Sequence, residues 1–181
     1  MARAMFAVLL ALAPLTASAG LQVFACEPEW AALATEIGGD EISAFSATTA
    51  LQDPHYIQAR PSLIAKVRRA DLVICSGAEL EIGWLPALLQ KANNRDVMPG
   101  SHGYMEASNY VLRLGATASV DRAQGDIHPR GNPHIQTDPR NIAAVAKVLG
   151  DRMASLDPES ATLYRAGLDD FLERWTKAIE S

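Results

Sequence analysis

Positive charge is in short supply in this chain: 16 lysines and arginines face 21 aspartates and glutamates, a formal net charge of -5 at neutral pH. That balance leaves no broad basic surface, which argues against an electrostatic grip on nucleic acid or on an anionic membrane. The cations are scattered except in Lys66-Val67-Arg68-Arg69, a run suited to the last turn of a helix, where it complements the negative end of the dipole. Cysteine is nearly absent too. The two present, Cys26 and Cys75, have no CxxC or other zinc-ligand spacing. Also missing are the GxGxxG and GxxxxGKS phosphate loops, the GxSxG nucleophile elbow and the HExxH zinc helix. There are no internal repeats and no low-complexity segment.

What is there suits one globular domain with something attached: 181 residues, 49% hydrophobic and 20% charged, enough to bury a proper core. The first 19 residues read as a secretory signal peptide. Arg3 gives a positive start, Met5 to Leu15 is an apolar run, and Ala17-Ser18-Ala19 has small residues at the cleavage positions. The run is shorter than the roughly 20 residues a spanning helix needs, and no later run is longer. The expected mature protein is soluble, monomeric and exported, periplasmic in a Gram-negative cell, with no stable membrane insertion.

Leu21 to Ala25 and Leu72 to Ile74 are apolar runs read as parallel strands, each followed by a cysteine. If the strands are neighbours, Cys26 and Cys75 lie at matching heights and an oxidising compartment permits a disulfide. Two buried free thiols are the other reading.

Further elements alternate. A helix is expected over Glu29 to Ile37, stopped by Gly38-Gly39, then a strand over Glu41 to Ala47 and a loop from Thr48 to Arg60. Pro61-Ser62 opens a helix through Arg69, and Asp71 to Ser76 is the third strand. Leu80 to Ala92 is helical, with Pro86 marking a late start or a kink, and Arg95 to Met98 is a candidate fourth strand. Alternation of this kind predicts an α/β fold, a parallel sheet of about four strands flanked by helices, with loops at the carboxyl ends of the strands forming the binding rim. The pattern weakens from Pro99 to Thr137, and a stretch of that length is usually functional or mobile. Asp138-Pro139 then caps a helix with Ile142, Val145, Ala146 and Leu149 on one face. A last helix follows Asp157-Pro158-Glu159, with Leu163, Tyr164, Leu168, Phe171, Leu172 and Trp175 at three- and four-residue intervals.

Candidate chemistry sits in two turns of one grammar, Asp53-Pro54-His55 and Asn132-Pro133-His134. Imidazole ligates zinc and other late first-row metals, and a preceding proline limits the backbone freedom that binding would cost. His128, in Gly125-Asp126-Ile127-His128-Pro129, is either an auxiliary ligand, with Asp126 orienting an imidazole, or an exposed loop histidine. His102 reads as a turn residue. Glu27, Glu29, Glu79 and Glu81 need no more than a helix dipole to explain them.

Three motifs in order, Asp53-Pro54-His55 with Pro61-Ser62, Ala70 to Ile74 with Gly77, Glu81 and Trp84, and Asn132-Pro133-His134 with Asp138-Pro139, together resemble the metal-binding solute receptors of bacterial zinc and manganese ABC importers. The chain departs from that family's usual pattern at Leu63 and at Gln136-Thr137. The resemblance implies two α/β lobes joined by a long helix, metal held between them, and delivery to an ABC transporter membrane permease. It implies that His55 and His134 are the first lobe's ligands for zinc, with manganese the second candidate, and that the chain is not an enzyme. Residues 20–154 would be that lobe and 155–181 the start of the inter-lobe helix. The second lobe, which donates the remaining ligands, would be absent, making this a fragment or truncated product. A secreted zinc-dependent hydrolase and a metal-independent adhesin or partner-binding domain are the alternatives.

Overall fold

The structure, a computed structural model, describes residues 20–116 and 128–181. The signal-peptide reading and Asp126 therefore lie outside the described residues.

Four strands form one sheet: β1 (Leu21–Ala25), β2 (Ile42–Ser46), β3 (Leu72–Cys75) and β4 (Tyr104–Glu106). Their order is β2-β1-β3-β4 and every pairing is parallel, with Ala25 beside Ser46 and beside Ile74. Among the described residues five α-helices accompany them: α1 (Pro28–Gly38), α2 (Pro61–Arg68), α3 (Leu85–Ala92), α4 (Pro139–Leu156) and α5 (Ala161–Ile179). The expected parallel α/β architecture is thus the observed one.

Strand alternation divides the interior into two cores. Val23, Ala25, Leu72, Ile74 and Met105 face α1, α4 and α5, against Trp30, Leu33, Leu149, Met153 and Tyr164. Phe24, Cys26, Val73 and Cys75 face α2 and α3, against Leu63, Val67, Trp84, Leu88 and Leu89. Because both faces are covered, β3 is buried at every position and β1 nearly so, which explains their unbroken apolar sequences.

Proline and capping chemistry set the helix starts. Pro28, Pro61, Pro86 and Pro139 all lie in first turns, where a missing N–H costs nothing. Pro86 accordingly makes α3 begin late, at Leu85. Asp138 caps α4 by accepting from the Arg140 N–H at 2.9 Å. The α5 helix docks on α4 and α1 within this domain: Tyr164, Leu168 and Phe171 are buried, and the Trp175 indole donates to the Pro139 carbonyl at 2.8 Å.

One strand expectation is overturned. Arg95–Val97 is a short 3-10 helix, and the fourth strand is Tyr104–Glu106. Asn93 ends α3 in the left-handed region, and the Asn94 side chain accepts from the Asp96 N–H, curling the chain before it can extend. Asn94 also donates to the Val67 and Ala70 carbonyls, pinning that curl beneath the end of α2.

Candidate metal centre

All four strands point their carboxyl ends at one rim. His55 lies in the loop after β2, while His128 and His134 lie in the segment between β4 and α4. Two residues more than 70 positions apart in the chain are thereby brought together by topology rather than by local spacing.

The two prolyl turns have the same hydrogen-bonded geometry. Asp53 Oδ1 accepts from the His55 N–H at 3.0 Å, and Asn132 Oδ1 accepts from the His134 N–H at 2.9 Å. Each Asx side chain thus closes a turn over its proline and aims the following imidazole. Neighbours lock both turns. The Trp84 indole donates to the Pro54 carbonyl at 2.8 Å, and the Thr137 hydroxyl donates to the His134 carbonyl at 2.8 Å. The Asn132 N–H donates to the Leu114 carbonyl at 2.8 Å.

Asp53 does more at its turn than Asn132 does. Its Oδ1 also lies 2.7 Å from His55 Nδ1, so the carboxylate accepts a hydrogen bond from Nδ1–H and leaves the lone pair on Nε2. The His55 N–H and ring hold the Asp53 carboxyl below the usual carboxylate range. His55 Nε2 then faces His128 Nε2 at 3.1 Å. Two nitrogens bound to one tetrahedral zinc stand about 3.3 Å apart. The His55 ring centroid is 5.2 Å from that of His128 and 5.8 Å from that of His134, and imidazoles sharing one metal have centroids roughly 5 Å apart. The three rings line a cavity of about 440 Å³ with Leu114, Gly115, Asn132 and Pro133. All three are only partly exposed.

The acidic residues of the rim are not simple dipole partners. Glu27 and Glu81 are both 3% exposed and converge on the Ser76 N–H, at 3.1 and 2.8 Å. Ser76 Oγ donates to Glu27 Oε2 at 3.0 Å and accepts from the Trp30 indole at 2.9 Å, while the Gly77 N–H donates to Glu81 Oε2 at 3.1 Å. Burial, then the charge of Glu81, pushes the Glu27 carboxyl well above its ordinary range. Burial pushes Glu81 up to about 7, against hydrogen bonds from Glu27, Gly77 and Ser76 that favour its charged form. Glu81 reaches this position because Gly77, Ala78 and Glu79 all adopt positive φ, turning the chain back on itself. For Ala78 and Glu79 that conformation costs roughly 1–2 kcal/mol each. Burial raises the Glu29 carboxyl above its ordinary range, against a backbone hydrogen bond that lowers it.

Cys26 and Cys75 form a disulfide across β1 and β3, resolving the alternative left open by their spacing. His102 is a turn residue whose carbonyl accepts from Arg152 at 2.7 Å. Sequence reasoning missed the burial of Glu27 and Glu81. The one available signal was the place of Glu27 directly after Cys26, at a strand end.

No helix among the described residues is long and apolar enough to cross a membrane. The family model for ZnuA, the periplasmic zinc-uptake complex component A, matches residues 23–181. The manganese ABC transporter substrate-binding lipoprotein scaA of Streptococcus gordonii is 27% identical over 171 residues, 89% of this chain and 50% of that protein. The metal ABC transporter substrate-binding lipoprotein SsaB of Streptococcus sanguinis is 25% identical over 162 residues, 88% of this chain and 49% of that protein. The chain spans about half the length of the curated relatives it matches. Among solved structures, a crystal structure of ZnuA aligns with a TM-score of 0.69 at 22% identity, covering 87% of this chain and 57% of that one. The Mn-bound periplasmic metal binding protein of Candidatus Liberibacter asiaticus aligns at 0.67 and 19% identity, covering 84% and 52%. These two likenesses establish the shared fold. With the family model spanning nearly all of the chain beyond residue 22, this protein belongs to the ZnuA family of periplasmic zinc-uptake components.

Proposed function

We propose that this chain provides the metal-receiving lobe of an extracytoplasmic solute receptor that captures zinc and delivers it to an ABC transporter membrane permease. The observation that carries the reading is the meeting of His55, His128 and His134 at one cavity, with His55 and His128 nitrogens 3.1 Å apart. In this reading His55 and His134 are the two principal ligands and His128 is the auxiliary third. Asp53 orients His55 through its Nδ1 proton.

An all-imidazole donor set favours zinc, whereas manganese prefers added carboxylate and water oxygen. Manganese remains the second cargo because relatives such as scaA are named as manganese transporter components. Three donors from this lobe leave a tetrahedral position to be filled from outside it. Residues 20–154 act as the binding lobe, and α5 leads toward a second lobe that supplies further donors. The protein acts outside the cytoplasm once residues 1–19 are removed, and it carries no catalysis of its own.

Calorimetric zinc titration of the His55→Ala, His134→Ala and His128→Ala variants tests the assignment. The two principal variants lose most of the affinity and the His128 variant loses less. Equal affinity in all three variants and the parent chain would overturn it.

A further inference from the structure

Away from the histidines, a second group of metal-ligating atoms lies at the ends of β1 and β3. The sulfurs of Cys26 and Cys75 and a carboxylate oxygen of Glu81 all lie within 4.8 Å of one another. This is the point where the strand order reverses, since β2 and β3 flank β1 on opposite sides. Such switch points are where parallel α/β sheets open a crevice. A second carboxylate, Glu27 on the residue following Cys26, is almost wholly buried and converges with Glu81 on the Ser76 N–H. Both cysteines are fully buried, and Glu81 also lines a cavity of about 200 Å³ with Gly77, Tyr104, Glu106 and Arg130.

We propose that Cys26, Cys75 and Glu81 form a second, redox-gated zinc site, closed while the disulfide is intact and open when it is reduced. The donor types fit zinc, which takes cysteine thiolates and carboxylate oxygen in tetrahedral sites. The frame fits as well. The two Cα atoms are 4.8 Å apart on hydrogen-bonded neighbouring strands. Sulfurs sharing a tetrahedral zinc stand about 3.8 Å apart, a separation that side-chain rotation supplies without moving the sheet.

The chemistry balances with an external dithiol. The Cys26–Cys75 bond takes two electrons and two protons from the dithiol, which becomes a disulfide, and two thiols result. Zinc then displaces both thiol protons to solvent, the Glu81 carboxylate fills the third position, and a water from the cavity fills the fourth. The site shares no residue with the histidine cluster, since its donors end or follow β1 and β3 whereas the histidines follow β2 and β4. A reducing environment would therefore change the number of metal ions the chain holds without altering the first site.

The test uses cobalt as the probe on the full chain, both unaltered and with His55, His128 and His134 all replaced by alanine. Each is examined before and after reduction with a water-soluble phosphine, which takes its oxygen from water and leaves two thiols. The expected result is a thiolate-to-cobalt charge-transfer band that is absent before reduction and saturates at one cobalt per chain after it, with or without the histidines. Cys75→Ser abolishes the band, and Glu81→Gln weakens cobalt binding at least tenfold. Maleimide labelling counts the thiols and far-UV circular dichroism follows the fold in the same samples. The proposal is overturned if a reduced, folded chain with two free thiols gives no band. It is equally overturned if the fold is lost on reduction, because the site needs both strands in place, or if Glu81→Gln leaves binding unchanged.

Discussion

His55 Nε2 and His128 Nε2 stand 3.1 Å apart although 73 residues separate them in sequence. The sheet creates that approach: one histidine leaves the carboxyl end of β2, at one edge, and the other follows β4, at the opposite edge. With Asp53 accepting from the His55 Nδ1–H, the nitrogen facing His128 is the one that carries the lone pair.

Asp53 separates two roles that substitution can pull apart. Asp53→Asn keeps an oxygen for the His55 N–H, as Asn132 does at the sister turn, but gives the ring a neutral acceptor in place of a charged one. Asp53→Ala removes both. Zinc affinity should fall about 10-fold for Asn and toward 100-fold for Ala, the range found when the partner of a ligating histidine is lost. Titration with a competing chromophoric chelator measures both, and the far-UV spectra of the variants should match the parent.

The disulfide also makes a prediction about stability. Linking Cys26 to Cys75 closes a loop with a sequence separation of 49, for which the chain-entropy account gives about 4 kcal/mol. The Cys26→Ser/Cys75→Ser double variant should unfold at correspondingly lower denaturant concentration, while unreduced native protein should take up no thiol label. Prompt labelling of the native chain would contradict the bridge.

Burial of the Glu27–Glu81 pair makes stability depend on pH with a definite sign. Both native carboxyls are raised, Glu81 to about 7 from an ordinary 4.5. Between those values the native state holds more protons than the unfolded chain, so stability is full below about pH 4.5 and declines as pH rises toward 7. For Glu81 alone the loss is on the order of 3 kcal/mol. The aspartates held low, Asp53, Asp138 and Asp157, act in the opposite sense only as pH falls below the ordinary aspartate range, so they do not mask this slope. Thermal melts at pH 5 and pH 7.5 should differ by several degrees, and Glu81→Gln should flatten the difference.

Gly167 reports on whether α5 belongs to this domain. A Cβ there would run into the Ile37 carbonyl at the end of α1, a backbone atom that cannot move aside cheaply. Gly167→Ala should therefore destabilise the domain by about 1–3 kcal/mol, despite alanine's better helix propensity. A neutral or stabilising effect in urea denaturation would mean that the helix does not dock here.

Much of this was legible in the chain because both faces of the sheet are covered. Leu21–Ala25 and Leu72–Cys75 are continuous apolar runs, and the prolines and Asp138 mark the helix starts. The fourth strand was not legible. Tyr104–Glu106 is a three-residue edge strand with a single fully buried side chain, whereas Arg95–Val97 is curled by a local Asn94 contact. The prolyl turns announced His55 and His134. His128 has no such turn, and only the meeting of the β2 and β4 loops brings it to the site. Glu27 and Glu81 looked like ordinary acidic residues near helix starts, and only the approach of β1 to β3 buries them.

The most direct test of the central claim is zinc K-edge absorption spectroscopy on the chain loaded with one zinc, comparing the parent with His55→Ala. Three imidazoles should give nitrogen neighbours at about 2.0–2.1 Å with the outer-shell scattering of histidine rings, and the variant should lose one ring's contribution along with most of its affinity. A parent spectrum with no imidazole scattering, or a variant spectrum identical to the parent's, would contradict it.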